Sequence, residues 1–218
     1  MRFQDAAPDA RAIVYAGIQA DPLVARLADL LVEAGPAQMV LARAVMNGQR
    51  TDPAVWREMV PGCFPDDRSE AILAASLEVA DRGEQVRSQF RGAIVEAVTQ
   101  RILARRVGSA EAIRRERRVL FDGVRSEIHP YDVTVELPGR AEVYDCKWGA
   151  RGINADVLHQ LDDARANAAM EEVALLCGLV VFDTRLACLT RLEAQTAPHE
   201  QTRVITIETL HDLGTARP

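Results

Sequence analysis

Apolar residues recur at helical spacing through the first part of the chain. Up to about residue 82 they fall every three or four positions between loop signals that contain glycine or proline, which is typical of short amphipathic helices. The same spacing continues through residues 84–107, where it predicts one longer helix. The buried side of this helix is expected to consist of Val86, Phe90, Ile94, Ala97, Val98 and Ile102. We therefore predict an all-helical N-terminal region, residues 1–82, ahead of a second region, residues 83–218.

Beyond residue 108 the pattern changes to one typical of β-strands. Residues 110–116 still fit a helix. Residues 118–124, 131–137 and 141–148 are rich in β-branched and aromatic side chains and predict three strands. The turn signal Pro138-Gly139 joins the second strand to the third.

One helix, two strands and a short helical stretch complete the pattern. Asn154 can cap a helix. The apolar stripe of that helix is expected to be Val157, Leu161, Ala164 and Ala168. Residues 174–182 are continuously apolar, as in a strand buried on both faces, and a helical stretch at 186–194 precedes a strand at 203–207. The order helix, three strands, helix, strand predicts an α/β fold with a small mixed sheet flanked by helices.

Two aspartates meet on the predicted hairpin. If the turn folds about Pro138-Gly139, Asp132 lies opposite Asp145, and side chains at opposite positions have Cβ atoms about 4.5–5.5 Å apart. A turn centred on Gly139-Arg140 would instead make the two aspartates diagonal neighbours. In either register both carboxylates lie on the same face of the sheet.

A lysine shares that face. Side chains alternate along a strand, so Lys147 points to the same side as Asp145, while Cys146 points away and its carbonyl can turn toward a ligand. Lys147 is the single lysine among 26 basic residues. Two close carboxylates repel each other unless a cation compensates them, and a hard divalent ion does so. The alternative is a cross-strand salt-bridge cluster on a solvated face, but arginine would serve a surface ion pair equally well.

Asp132 and the segment Asp145-Cys146-Lys147 resemble the signature of the PD-(D/E)XK nuclease superfamily, which has the restriction-endonuclease-like fold. One residue is inserted in Pro130-Tyr131-Asp132 relative to that signature. The element order between residues 84 and 207 is similar to the family's core. The resemblance implies a Mg²⁺-dependent DNA endonuclease, with Mn²⁺ able to substitute. Asp132, Asp145 and the Cys146 carbonyl would be metal ligands, and Lys147 would be the water-orienting base.

Three further residues are candidates for the site, two of them through this resemblance. Family members often add a glutamate from the first core helix to the metal site, and Glu96 is the candidate, with a plain surface glutamate as the alternative. Gln160, in the helix after the signature, resembles a glutamine that some subfamilies place at the site, although the aromatic expected four residues later is Ala164 here. His129 precedes the signature and is a candidate base or phosphate contact, or else a turn residue.

The charge distribution is uneven. A net charge of −6 argues against strong general binding to nucleic acids, but residues 87–118 carry nine arginines and three glutamates. Arg101, Arg105 and Arg106 on the long helix are predicted to contact nucleic-acid phosphates; an Arg-rich solvated face is the alternative. An acidic nuclease can also obtain a basic surface from a second copy or a partner subunit, bound through the N-terminal helices.

The remaining features concern the location of the protein and the functions that stay open. No apolar run reaches the roughly 20 residues of a membrane span, and the start of the chain lacks the pattern of a signal peptide. The four cysteines show no CxxC spacing, which favours reduced thiols and a cytoplasmic protein. Two other functions stay open: a catalytically silent structural or interaction subunit that retains the nuclease fold, and the same chemistry directed at RNA. The intact acidic pair and lysine favour an enzyme.

Overall fold

The computed structural model of the chain contains two compact units. It describes residues 1–7, 10–48, 51–125, 129–197 and 201–215. Residues 9–101 form the first unit, called here the helical unit, and residues 1–8 with 102–218 form the second, called the sheet unit. The units divide inside the long helix rather than ahead of it at residue 82.

The helices and strands of the described residues are as follows. The helices are α1 (Ala10–Gln19), α2 (Pro22–Val32), α3 (Pro36–Asn47), α4 (Pro53–Met59), α5 (Asp67–Ala80), α6 (Glu84–Val107), α7 (Ala155–Met170), α8 (Arg185–Glu193) and α9 (Asp212–Thr215). The strands are β1 (Arg2–Asp5), β2 (Ile113–Phe121), β3 (Val124–Arg125), β4 (Tyr131–Leu137), β5 (Arg140–Lys147), β6 (Leu175–Val181) and β7 (Arg203–Ile205). Within the described ranges, no helix is both long enough and apolar enough to cross a membrane.

The helical unit is built from short capped helices. Asp21 accepts a hydrogen bond from the amide of Leu23 at the start of α2, and Asp66 accepts one from Ser69 at the start of α5. Helices α3 and α5 pack together. A buried apolar cluster of this unit contains Leu41, Val45, Trp56, Cys63, Leu73 and Leu77.

The sheet unit has a mixed sheet with the strand order β1-β2-β4-β5-β6-β7, and β3 pairs with β2. The pairings from β1 to β5 are antiparallel, and those of β5 with β6 and β6 with β7 are parallel. Helix α7 packs on β6 and β2. The α/β class and the mixed sheet flanked by helices are confirmed. The restriction-endonuclease-like core remains a prediction.

The predicted stripe of α7 is confirmed. Its residues Val157, Leu161, Ala164 and Ala168 are all buried and belong to the core cluster of the sheet unit. Asn154 caps the helix by accepting a hydrogen bond from the amide of Val157 at 3.0 Å. The helix is thereby held over β6, whose Leu179 and Val181 lie in the same cluster.

The hairpin of β4 and β5 folds about Pro138-Gly139. Leu137 pairs with Arg140, and the register runs without a shift to Val133 paired with Tyr144. Gly139 has a φ of 74°, which suits the glycine of a type II turn that follows proline. The alternative turn centred on Gly139-Arg140 is therefore wrong, and the observed register brings Asp132 level with Asp145.

Three local predictions are corrected. Arg2–Asp5 form the strand β1, which pairs with β2, so the N-terminal region is not all-helical. Strand β2 already begins at Ile113, within the stretch predicted to be helical, because pairing with β4 overrides the weak preference of an Arg-rich segment. Val86 is exposed, whereas the other five residues of the predicted stripe of α6 are buried. The bounds of α6 itself, Glu84–Val107, are as predicted.

Candidate functional site

Strands β4 and β5 bring together the three residues at the centre of the predicted signature. The ammonium nitrogen Nζ of Lys147 lies 3.8 Å from Oδ2 of Asp132 and 3.6 Å from Oδ1 of Asp145. The Asp145 side chain is only 5% exposed, whereas those of Asp132 and Lys147 are 18% and 26% exposed. The cluster is therefore largely buried, and Lys147 is its most exposed member.

Asp132 marks the end of the hairpin ladder. The last regular pair of the ladder is Val133 with Tyr144, and Asp132 is the next residue along β4. Its Oδ2 accepts a hydrogen bond from the backbone N–H of Cys146 at 2.5 Å. A carboxylate thus takes the place of a carbonyl as the acceptor, which fixes Asp132 beside β5. The Cys146 side chain is buried, and its carbonyl as a metal ligand remains a prediction.

Gln160 of α7 supports Asp145. Its Nε2 donates to Oδ2 of Asp145 at 3.4 Å, and its Oε1 accepts from the backbone N–H of His129 at 3.0 Å. The hydroxyl of Tyr131 donates to the Gln160 carbonyl at 3.3 Å. Because Gln160 is 3% exposed, it contacts Asp145 rather than solvent, which argues against the predicted direct contact with nucleic acid. His129 is exposed, and its role as a base or phosphate contact, or else as a turn residue, stays a prediction.

The electrostatics of this cluster are those of a crowded, partly dehydrated pair of acids. Burial, reinforced by the charge of Asp132, raises the pKa of Asp145 to about 7, although Lys147 opposes the rise. Burial also raises the pKa of Asp132. Burial lowers the pKa of Lys147, but the two carboxylates outweigh it and the pKa is raised overall. Lys147 is therefore charged at neutral pH, and one ammonium does not fully compensate the pair.

Glu116 is a third carboxylate at this place, and the sequence reasoning missed it. The register of β2 with β4 puts Glu116 level with Asp132, between the pairs Arg115–Val133 and Arg117–Tyr131. Carboxylate oxygens of Glu116 and Asp132 lie within 4.8 Å of each other. Glu116 has a φ of 52°, uncommon for any residue but glycine. The charged sequence around Glu116 does not predict that it lies beside Asp132, because only the pairing of β2 with β4 sets the position of Glu116.

We expect the effect of Asp145→Asn on stability to depend on pH and to be more favourable near pH 8 than near pH 4. A carboxyl whose pKa rises from 3.8 to about 7 on folding carries a cost that is absent below the unfolded pKa and complete above the folded pKa. The free energy of unfolding of the variant minus that of wild type should therefore be about 2–4 kcal/mol larger at pH 8 than at pH 4. Urea denaturation in EDTA measures it. Asp163→Asn, at an exposed position of α7, is the control, and a difference that does not vary with pH would contradict the expectation.

Glu96 lies in the part of α6 that belongs to the helical unit. It is 4% exposed, so it is not the surface glutamate of the alternative hypothesis. Its Oε1 accepts from the hydroxyl of Tyr15 at 2.5 Å and its Oε2 from Nε2 of Gln19 at 2.7 Å, both on α1. These bonds hold a buried carboxylate in place within its own unit. Its role as a metal ligand stays a prediction.

The three arginines predicted to contact phosphates have different environments. Arg101 donates to Asp29 at 2.6 Å within the helical unit. Arg106 donates to Glu142 at 2.7 Å, and its side chain is 9% exposed. Arg105 is exposed. The prediction for Arg106 is corrected, because a buried guanidinium paired with a buried carboxylate does not reach a phosphate. For Arg101 and Arg105 the contact with phosphate stays a prediction.

The cysteines agree with the expectation of thiols. All four lie in the described residues, none of them forms a disulfide, and Cys63, Cys146 and Cys188 are buried.

Comparisons with known proteins show no family. No family model and no curated protein matches the chain. Among solved structures the chain is similar to the crystal structure of protein VC1899 from Vibrio cholerae, with 17% sequence identity and a TM-score of 0.43. The similarity covers 98% of this chain and 57% of VC1899, so the chain spans little more than half the length of that protein.

Proposed function

We propose that the protein is a Mg²⁺-dependent endonuclease that hydrolyses phosphodiester bonds of DNA by PD-(D/E)XK chemistry. The observation that carries the proposal is the position of the single lysine, whose ammonium lies within 4 Å of carboxylate oxygens from two neighbouring strands. The balance of charge favours this proposal over the salt-bridge cluster, because the two carboxylates of Asp132 and Asp145 outnumber the single ammonium of Lys147. The remaining negative charge favours a bound cation.

The donor set fits a hard divalent cation. Mg²⁺ is bound in proteins mainly through carboxylate oxygens. The pKa of Asp145 is raised first by burial and then by the charge of Asp132, and a bound cation would relieve the second cause. Asp132 and Asp145 would hold the ion. The Cys146 carbonyl and Glu96 are further ligands implied by the family resemblance, and Glu116 is a further candidate from the geometry. When bound, the ion polarises a phosphoryl oxygen and acidifies a water molecule.

The residues of the chain have separate tasks in this proposal. Lys147, charged at neutral pH, donates hydrogen bonds that orient the attacking water and stabilise the negative charge developing on the phosphate. Gln160 keeps the Asp145 carboxylate in one orientation through the bond between Nε2 and Oδ2. The amide of Cys146 does the same for Asp132. Lys147 thus acts as an orienting group rather than as the base first expected.

We expect the acidic pair to bind Mn²⁺ or Mg²⁺ without nucleic acid. Titration calorimetry of wild type should give a binding heat that an Asp132→Asn/Asp145→Asn variant loses, because both anionic ligands are removed. The matched control is Asp156→Asn/Asp163→Asn, which removes the same charge from exposed positions of α7. Equal binding by wild type and the site variant would overturn the two-ligand site.

Cleavage assays test the reaction and its substrate. Supercoiled plasmid, linear duplex, single-stranded DNA and RNA are each incubated with Mg²⁺, Mn²⁺ or EDTA. Cleavage of plasmid in Mg²⁺ that fails in EDTA and in the Asp132→Asn/Asp145→Asn variant supports the proposal. Metal-dependent cleavage of RNA alone would transfer the same chemistry to RNA. No cleavage of any substrate by a protein that binds metal would favour the silent subunit.

A further inference from the structure

The side chain of Lys147 runs along a tight turn. Ala150–Gly152 form a single 3-10 turn shortly after β5. A Cβ added to Gly152 would lie 2.8 Å from Cβ, 3.0 Å from Cγ and 3.1 Å from Cδ of Lys147. Separations below 3.0 Å are essentially never found for real Cβ atoms. The φ of Gly152 is not positive, so the position requires glycine for space and not for its backbone angle.

The turn is held on both sides and has little freedom to retreat. The amide of Ala150 donates to Oδ2 of Asp183 at 3.0 Å, in a buried bond. The carbonyl of Ile153 accepts from Nε of Arg191 on α8 at 2.9 Å. The carbonyl of Lys147 accepts from the amide of Phe182 at 2.8 Å, which ties the end of β5 to the residue after β6. A methyl group added at Gly152 would therefore push Cγ and Cδ of Lys147 aside by rotation of the side chain, while its contact with Cβ, which the backbone of β5 holds in place, would remain strained.

We propose that Gly152 is the positioning residue of Lys147. By presenting no side chain, it lets the aliphatic stem of Lys147 lie against the turn, and the ammonium is thereby held between Asp132 and Asp145. The contact between Gly152 and Lys147 is independent of activity, whereas its consequence for catalysis rests on the proposed function.

A double-mutant cycle tests the contact without metal or substrate. Gly152→Ala is introduced into wild type and into Lys147→Gly, which removes all three atoms that the new methyl group would meet. We expect Gly152→Ala to lower the melting temperature of wild type and to leave that of Lys147→Gly unchanged or higher. Gly83→Ala is the control, since nothing lies within 4 Å of a Cβ at Gly83. An equal loss of melting temperature in both backgrounds overturns the contact. If Gly152→Ala alone does not fold, folding of the double variant Lys147→Gly/Gly152→Ala supports the contact, and failure of the double variant to fold overturns it.

The position of the ammonium is tested by NMR and kinetics. Because Lys147 is the single lysine, ¹³C-lysine labelling gives one ε-methylene signal. This signal should move in Gly152→Ala and stay in Gly83→Ala. We expect kcat for cleavage to fall on the order of tenfold to a hundredfold in Gly152→Ala, with KM and the affinity for Mn²⁺ unchanged.

The outcomes separate the two proposals. A moved signal with reduced kcat supports the positioning role, and an unmoved signal with wild-type kcat overturns it. If wild type cleaves no substrate, the proposed function fails, and the ε-methylene signal with the double-mutant cycle still decides whether Gly152 positions Lys147.

Discussion

Lys147→Arg is expected to abolish cleavage while leaving a folded protein that binds metal. The substitution keeps the positive charge, and an ion pair with Asp132 and Asp145 would tolerate it. A guanidinium is planar and larger than an ammonium, however, and presents its donors in a rigid fork. The stem of residue 147 is already in contact with the Gly152 turn, so the larger group has no equivalent place between the two carboxylates.

The rate of plasmid cleavage should fall by a factor on the order of 10²–10⁴, as for removal of one catalytic group. Lys147→Ala, which removes the charge altogether, is the comparison variant. Lys147→Arg should be as inactive as Lys147→Ala if the position of the ammonium matters more than its charge. Calorimetry with Mn²⁺ should show that both variants still bind the metal. Cleavage by Lys147→Arg within about threefold of wild type would remove Lys147 from the mechanism and return the hairpin to a structural role.

The second large effect concerns stability. Arg106→Ala is expected to destabilise the sheet unit, because it removes a partner of Glu142, whose side chain is fully buried. Glu142 also accepts from Arg140 at 2.5 Å and from the Tyr144 hydroxyl at 2.6 Å. Burial would raise the pKa of Glu142, but its bonds to Arg106 and Tyr144 and the nearby arginine charges hold the pKa below its usual value. The network thus stabilises the ionised carboxylate.

Breaking a buried ion pair by removing one partner costs about 3–5 kcal/mol, and we expect a loss in that range from urea denaturation at neutral pH. The adjacent Arg105→Ala is a matched control, because Arg105 is exposed and its loss should change the free energy of unfolding by less than about 0.5 kcal/mol. Equal effects of the two variants would contradict the assignment. Arg106 would then again be available as a phosphate contact.

The same network predicts sensitivity to acid. A glutamate whose pKa is lowered on folding contributes stability that is complete above its unfolded pKa of 4.5 and is lost as the pH falls through the folded pKa. The loss for Arg106→Ala should therefore shrink as the pH falls below 4.5. Arg106 illustrates how a residue chosen from a basic stretch of sequence takes a structural role once its partner on β5 is known.

Sequence alone determined the features that depend on local chemistry. The 3.6-residue period and the Asn154 cap place α6 and α7. The turn signal at Pro138-Gly139 predicts a hairpin with Asp132 and Asp145 on one face, but two registers fit the sequence and the strand pairing decides between them. The alternation of side chains along a strand places Lys147 on the same face as Asp145. These inferences succeed because periodicity, capping and turn geometry are decided within a few residues along the chain.

Tertiary structure decided what depends on distant partners. The pairing of β1 with β2 joins residues more than a hundred positions apart, and the pairing of β2 with β4 places Glu116 beside Asp132. Arg106 pairs with the buried Glu142 and is therefore not at the surface. Gly152 lies close to the stem of Lys147 only in the folded chain. None of these has a local signal, because each is stabilised by contacts whose partners lie in other strands and turns, and a window of neighbouring residues does not contain those partners.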